Sequence, residues 1–413
     1  MTPPDALQVL LIAHIHDAKA GDFPRPESYV DAFRAAFTPW EVEESARDAA
    51  LAEGEKTGAA VRWDFIHSTG EAPVLPPAVE ELGKALHSLV IVIATPALAR
   101  DATCVARLEA LAAAVRDAPG RPHDFLLLGM NEAALSALRG LPGTEAISRR
   151  QGVSLERLGE YALRPHYAAM LALHRAHRLL AASAAGQGGA VSATARFFIS
   201  HAKLDGLSLA HSMEHAIKSL PWLGSFYDAR DIQPGDDWQE TLEQGVRDSM
   251  LLALRTDAYD QRFWCRREVL WAERYDRPVL LVDARALLLA RPSVLGFTGV
   301  PGVRIPDGNL VRVLAEALRE WVRIGILRRR CAAAVAGSAL AARAEFLSRT
   351  PTLASLAGAL DRLAARQAPP DALIVHPEPP LESELSEAAQ ALIRSRFPQG
   401  AVLSLRTFFA QLS

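Results

Sequence analysis

The residues best suited to chemistry are a glutamate and two tryptophans that recur at helical spacing. Trp264, Glu268 and Trp271 stand at i, i+4 and i+7, so a helix would place them on one face. Indole rings lower the dielectric around a carboxylate and offer a flat apolar wall. Such a carboxylate can stabilise a developing positive charge. A single glutamate on a helix is more often solvated, so the hypothesis depends on the neighbouring segments.

The element before this predicted helix is a buried strand. Residues 250–254 form a short uncharged apolar run followed by polar residues, which is typical of a central strand in a parallel sheet. The helix is predicted to begin near Phe263 and to end near Arg274. Its first turn would then lie at the carboxyl end of the sheet, where open α/β folds bind ligands.

Three further segments form an ordered pattern around that strand. Residues 196–203 are predicted to be a strand that runs into a polar loop. A second strand, a Pro-Gly loop and a helix start occupy residues 224–238, and a last strand occupies residues 277–283. In this order and spacing the four segments resemble a Toll/interleukin-1 receptor (TIR) domain of bacterial type over about residues 195–325. The resemblance implies a flavodoxin-like α/β fold with a parallel sheet.

The resemblance also implies an activity. Some TIR domains only associate with other proteins, and others hydrolyse NAD⁺ at the nicotinamide–ribose bond. The enzymes carry a Trp-x-x-x-Glu arrangement, which Trp264 and Glu268 complete here, so Glu268 is the expected catalytic residue. Nicotinamide is a cationic leaving group that needs no general acid. One carboxylate can therefore suffice to stabilise the oxocarbenium-like ribosyl centre.

By the same resemblance, the loops after the first two strands and the aromatic residues Trp238 and Trp264 are expected to line the substrate cleft. The loop after the first strand is expected to bring Lys203 near the phosphates, and the loop after the second strand is the family's mobile BB loop. His201 as a turn cap and Trp238 as a core anchor remain plainer alternatives. The expected substrate-binding residues are Ser200, His201, Lys203, Arg230, Asp231, Gly235, Trp238 and Trp264.

Two departures from the family pattern concern the loops. The usual serine after the third strand is Thr256 here, and the paired arginines of some members are Ala202 and Lys203. Phosphate recognition is therefore expected to be weaker or to pass through Arg230.

The composition limits the class of protein. With 413 residues, 50% of them hydrophobic, and a net charge of −3, the chain is long enough for two or three domains and has no nucleic-acid footprint. Its three cysteines give neither a disulfide framework nor a metal spacing, which favours a reducing cytoplasm. No apolar run approaches the length of a membrane span, so a soluble protein without metal or cofactor is expected, with NAD⁺ as its substrate.

Strands and helices alternate in residues 1–150, which predicts a doubly wound parallel sheet. Aligning this part on the TIR-like part puts Arg107 at the place of Glu268 and Thr103 at that of Trp264. Residues 1–150 are therefore interpreted as a degenerate TIR-like or Rossmannoid domain, and an unrelated α/β domain is the alternative. Strands are predicted at 7–15, 61–66, 89–94 and 124–129, and helices at 27–36, 77–88 and 102–116.

The remaining segments connect or extend these domains. A helical connector is predicted at 151–183, a flexible small-residue linker at 184–194 and the TIR domain at 195–325. Residues 326–413 are expected to contain a helical stretch up to about 363 and then one strand–helix–strand unit. So small a sheet has open edges, so it must pack on another domain, a second copy or a partner.

The predicted function is that of a TIR-domain NAD⁺ glycohydrolase, activated by self-association and serving bacterial anti-phage defence. The outer segments, 1–183 and 326–413, would sense, scaffold or bind a partner protein. Two alternatives remain open: a non-enzymatic TIR adaptor, and a synthase that makes a cyclic ADP-ribose signal.

Overall fold

The computed structural model describes residues 6–13, 26–37, 76–120, 122–182, 195–226, 237–285, 300–305, 308–377 and 379–412. The chain divides into two compact units, whose described parts lie within residues 6–182 and 195–412. Both units are α/β with parallel strands, which confirms the predicted fold class. The strand predicted at 61–66 lies outside the described residues. None of the helices in the described ranges is both long and apolar enough to cross a membrane.

The described strands of the first unit form a parallel sheet in the order β1-β2-β3-β4. All seven residues of β2 are buried, as expected for a strand with helices on both faces. The strands are β1 (Gln8–Ala13), β2 (Ser88–Ala94), β3 (His123–Gly129) and β4 (Val153–Ser154). The helices are α1 (Pro26–Phe37), α2 (Pro96–Arg100), α3 (Ala102–Asp117), α4 (Glu132–Arg139), α5 (Glu145–Ser148) and α6 (Arg164–Ala182).

Two predictions for the first unit need correction. The helix expected over 77–88 is only a 3₁₀ helix at Val79–Lys84, and Ser88 already belongs to β2. The Ser88 hydroxyl donates to the Leu82 carbonyl at 2.9 Å and so satisfies an acceptor that a longer helix would have used. The segment expected as a connector, 151–183, belongs to this unit, because it supplies β4 to the sheet and α6 packs against α1.

The second unit has a five-stranded parallel sheet in the order β6-β5-β7-β8-β9. This is the doubly wound order of flavodoxin-like folds. The strands are β5 (Ala195–His201), β6 (Leu223–Phe226), β7 (Met250–Arg255), β8 (Val279–Asp283) and β9 (Gly302–Arg304). The helices that cover this sheet are α7 (Leu207–Lys218), α8 (Trp238–Arg247), α9 (Phe263–Arg274) and α10 (Leu310–Val335).

The two sheets share an arrangement. In the described residues, β1, β2, β3 and β4 are neighbours in the same sequence as β5, β7, β8 and β9. The interval from the end of β2 to the start of α3 equals that from the end of β7 to the start of α9. Counted from those strand ends, Arg107 falls at the place of Glu268 and Cys104 at that of Cys265. This favours the prediction of a degenerate TIR-like repeat, which stays a prediction.

The C-terminal part of the second unit has its own three-stranded parallel sheet, ordered β10-β11-β12. We call residues 344–412 the C-terminal module. Its strands are β10 (Ala344–Phe346), β11 (Leu373–His376) and β12 (Ala401–Ser404). The short helix α11 (Leu340–Arg343) precedes the module, and its own helices are α12 (Leu353–Ala365), α13 (Ser383–Arg394) and α14 (Leu405–Ala410).

The expectation of a continuous helical stretch up to about residue 363 was wrong. The long helix α10 ends at Val335, and Gly337 follows with φ of +72°, a backbone conformation that glycine adopts without strain. After the short α11, the next helix, α12, starts only after Thr352, whose side chain forms a capping box with Ser355. The strand β10 lies between these helices, so the module contains two strand–helix–strand units. It packs on α9 of the larger sheet through α12.

Candidate active site

The helix α9 directs Glu268 toward the sheet. Its buried face includes Cys265, Glu268 and Ala272, which recur at the three- and four-residue spacing of a helix stripe. Glu268 is only 8% exposed. Trp264, which was expected to share its face, is half-buried and lies at the edge of the core. The carboxylate is therefore turned into the domain and away from bulk water.

A short hydrogen-bonded chain holds the Glu268 carboxylate. The Ser200 hydroxyl, at the carboxyl end of β5, donates to Glu268 Oε2 at 2.5 Å. The Tyr259 hydroxyl lies 2.6 Å from Ser200 Oγ. A serine hydroxyl has one proton, and Ser200 gives it to the carboxylate, so Tyr259 must donate to Ser200. The order of donation is Tyr259 to Ser200 to Glu268.

Tyr259 is a site residue that the sequence analysis missed. It belongs to the 3₁₀ helix Tyr259–Gln261, between β7 and α9, and is completely buried. Burial and the nearby Cys265 and Glu268 raise the pKa of Tyr259 well above the ordinary tyrosine value, so the phenol stays protonated as a donor. The only sequence signal was an aromatic residue with a polar group inside an otherwise polar loop.

Cys265 is a buried neighbour of the carboxylate and is not a nucleophile. Burial, followed by the charge of Glu268, raises the pKa of the Cys265 thiol to about 12. Its Sγ donates to the His201 carbonyl at 3.4 Å. A thiol that remains protonated has little nucleophilic reactivity, so here it packs α9 against β5.

Two polar bridges fix the loops at this end of the sheet. Asp205 accepts a hydrogen bond from the Thr256 hydroxyl at 2.6 Å and one from the Ala258 amide at 2.9 Å, which joins the loops after β5 and β7. The buried Arg255 forms a two-pronged ion pair with Asp260. Thr256 thus keeps the hydroxyl of the usual serine, and the loop that carries Tyr259 is held at both ends.

Aromatic side chains surround the start of α9. Trp238, the first residue of α8, is 45% exposed, and its ring centroid lies 4.3 Å from that of Trp264. The helix α8 begins here because the Asp237 carboxylate accepts from the Gln239 and Glu240 amides. The Arg267 guanidinium lies over the ring of Trp264 at 5.7 Å. The result is a partly exposed aromatic wall one helical turn before Glu268.

Residues 197–293 match the family model for the TIR domain. This part of the chain is a TIR domain. No curated protein matches the chain at a significant level. TIR domains include adaptors and NAD⁺ hydrolases, so the match establishes the domain and a TIR-type role but does not choose between these two activities.

The remaining predicted site residues differ in solvent exposure, and three of them lie outside the described residues. Lys203 is exposed in the loop that follows β5, whereas His201 and the adjacent Ala202 are buried. Three predicted residues of the BB loop, Arg230, Asp231 and Gly235, lie outside the described residues. The roles of all these residues in binding substrate stay predictions.

The described residues of the TIR domain contain no candidate metal centre. Among the described residues, no three or more His, Cys, Asp or Glu side chains are grouped so that they could hold a metal ion. What the site offers is the Glu268 carboxylate, the hydrogen bonds of Ser200 and Tyr259, and the aromatic surface of Trp238 and Trp264.

Proposed function

We propose that this TIR domain hydrolyses NAD⁺ at the bond between nicotinamide and ribose, with Glu268 as the catalytic residue. The observation that carries the proposal is the placement of Glu268. Its carboxylate is buried at the carboxyl end of a parallel sheet and is held by the Ser200 hydroxyl at 2.5 Å. Sites at this end of open α/β sheets bind ligands.

The chemistry requires one anionic group. When the glycosidic bond breaks, its electron pair leaves with nicotinamide, which becomes neutral, and the ribosyl carbon takes the positive charge. A fixed carboxylate in a site of low dielectric stabilises that charge more in the transition state than in the ground state. Water then adds to the carbon and loses a proton, giving ADP-ribose. Glu268, oriented by Ser200 and Tyr259, supplies the required group.

The aromatic wall supports binding of a dinucleotide. Trp238 and Trp264 are in contact, and Trp238 presents nearly half of its surface to solvent. An exposed indole offers a flat surface for nicotinamide or adenine. The exposed Lys203, in the loop after β5, provides a positive charge for the pyrophosphate.

We also propose that self-association switches the enzyme on and that the output serves anti-phage defence. Constitutive NAD⁺ hydrolysis would exhaust the cell's own supply, so the activity must be off by default. Assembly of TIR domains is the switch that the resemblance implies, with a partner or sensor acting through the outer segments.

The central experiment measures nicotinamide release from NAD⁺ by the full chain, in dilute solution and under crowding that forces assembly. Glu268→Gln, which keeps the side-chain volume, is expected to lower the rate at least about 10²-fold. The matched control is Glu214→Gln, because the Glu214 carboxylate also accepts a hydrogen bond, from Lys218 at 2.8 Å, but lies on α7 and away from α9. This control should keep the wild-type rate.

The outcomes separate the candidate functions. Equal release by Glu268→Gln and wild type would end the enzyme assignment for this site. A wild type that assembles but releases no nicotinamide would be a TIR adaptor. Chromatography of the products distinguishes ADP-ribose from a cyclic form, which would identify a synthase.

A further inference from the structure

The helix that carries Glu268 ends in an unusual way. Asp276 follows α9 with φ of +50°, a left-handed conformation that is strained for most residues other than glycine. The Arg277 amide bonds the Ala272 carbonyl at 2.8 Å, and the Asp276 amide bonds the Glu273 carbonyl at 3.0 Å. These two bonds make a Schellman motif in which an aspartate occupies the usual glycine position.

The Asp276 side chain explains why glycine is absent. Its Oδ1 accepts from the Ser348 amide at 3.0 Å and from the Ser348 hydroxyl at 2.7 Å. Its Oδ2 accepts from Arg328 at 2.9 Å. Burial alone would raise the pKa of Asp276, but Arg328 and Ser348 outweigh it and leave the pKa below the ordinary value. The aspartate thus anchors the end of α9 to the loop after β10.

Three arginines from later in the chain bind carbonyl oxygens at this helix end. Arg362 of α12 donates to the Arg274 carbonyl at 2.9 Å, and Arg328 donates to the Asp276 carbonyl at 2.6 Å. Arg349 donates to the Arg277 carbonyl. Cations at a helix carboxyl end complement its dipole, and here the cations come from α10, the loop after β10 and α12.

The module also approaches α9 closely at Gly358. A Cβ placed on Gly358 of α12 would lie 1.8 Å from the Arg274 carbonyl oxygen, so α12 crosses α9 at backbone contact. The Thr352 hydroxyl, at the start of α12, donates to the Glu273 carboxylate at 3.0 Å. Glu273 and Arg274 lie less than two turns beyond Glu268, a distance of about 8–9 Å along the helix.

We propose that the C-terminal module is a positioning element for the active site: it holds the carboxyl end of α9 and thereby sets Glu268 against Ser200. The functional TIR unit of this chain therefore extends to residue 412, well past the end of the family match at residue 293. The effect on activity rests on the proposed NAD⁺ hydrolysis, whereas the effect on the order of α9 does not.

The test uses the full chain with Gly358→Ala, which forces α12 away from the Arg274 carbonyl. The matched control is Gly302→Ala on β9, where an added Cβ would meet its nearest atom at 3.7 Å, an ordinary contact. A second variant, Asp276→Gly, removes the anchoring carboxylate while it relieves the left-handed strain. It therefore weakens the anchor without adding bulk or strain.

Two measurements are made on each variant. Hydrogen exchange of the α9 amides, followed by mass spectrometry, should become about tenfold faster in Gly358→Ala and Asp276→Gly, with β5 and β7 unchanged. The kcat for nicotinamide release should fall by about 10- to 100-fold with KM within about twofold of wild type, because misplacement of a catalytic group affects the chemical step.

The exchange and activity results test two parts of the proposal, the ordering of α9 and its link to catalysis. Unchanged exchange in α9, or faster exchange spread evenly over the whole unit, would overturn the positioning role. Faster exchange in α9 with an unchanged kcat would overturn its link to catalysis. If wild type releases no nicotinamide, the proposed function fails, and the exchange data alone still decide whether the module orders α9.

Discussion

Ser200 and Glu268 are joined by a hydrogen bond of 2.5 Å between Ser200 Oγ and Glu268 Oε2, although they are 68 positions apart in the chain. The bond connects the carboxyl end of β5 to the middle of α9. Because both residues are buried, the bond is shielded from water, and a hydrogen bond to a charged group in such a place is stronger than one between neutral groups.

The first prediction concerns Ser200. Replacing Ser200 with alanine removes the hydrogen bond to Glu268 Oε2, which contributes about 1.5–3 kcal/mol. We expect kcat for nicotinamide release to fall about 10- to 100-fold, with a smaller change in KM. Ser212→Ala is the control, because the Ser212 hydroxyl bonds the Ser208 carbonyl of its own helix at an exposed position. Equal activity of the two variants would contradict an orienting role for Ser200.

The second prediction concerns Tyr259, which donates to Ser200. Tyr259→Phe keeps the ring in its fully buried place and removes only the hydroxyl. We expect a loss of about 1 kcal/mol in the free energy of unfolding and a lower kcat. Combined with Ser200→Ala in a double-mutant cycle, the two changes should be less than additive, because both remove the same chain of donors. Full additivity in kcat would show that Tyr259 acts independently of Ser200.

The third prediction concerns the aromatic wall. Trp238→Ala should raise KM for NAD⁺ about tenfold, since stacking of a base on an aromatic side chain contributes about 1–3 kcal/mol. Stability should change little, because the side chain is 45% exposed. Tyr161→Ala removes an aromatic group of similar exposure, 47%, from the first unit and should leave KM as it is. An unchanged KM in Trp238→Ala would exclude this face as part of the binding site.

The fourth prediction is a pH dependence in the first unit. Burial, with Arg178 and Arg175, lowers the pKa of His174 to about 4, whereas an unfolded histidine has a pKa of about 6.5. Between these values the unfolded chain binds a proton that the folded chain does not, so stability must fall as the pH drops from about 6.5 to about 4. The full effect is about 3 kcal/mol.

The effect of His174 is measured by urea unfolding of the full chain between pH 7.5 and 4.5. Limited proteolysis at each urea concentration shows which of the two units has unfolded. His174→Phe should flatten the dependence for the first unit. His166→Gln, at an exposed position of the same helix, should leave the pH dependence of the first unit unchanged. A His174→Phe variant that is as sensitive to acid as wild type would assign the pH dependence to other groups.

The elements that depend on local pattern could be predicted from the amino-acid sequence. Neighbouring residues encode the apolar runs that form β5, β7 and β8. They also encode the helical spacing from Trp264 to Glu268. The order of these segments identified the TIR domain, which the family match confirms. The prediction of a helical stretch up to about residue 363 failed because the Ala- and Leu-rich composition favours a helix and hid a three-residue strand, Ala344–Phe346.

Which side chains meet depends on how distant segments pack in the folded domain. Tyr259 reaches Ser200 across 59 positions, and Ser348 reaches Asp276 across 72. No local periodicity encodes such pairs, because they follow from the twist of the sheet, the crossing of helices and the burial of the whole face. The sequence therefore indicated which residue carries the proposed chemistry, while the packing of distant segments fixed the donors that orient it and the module that holds its helix.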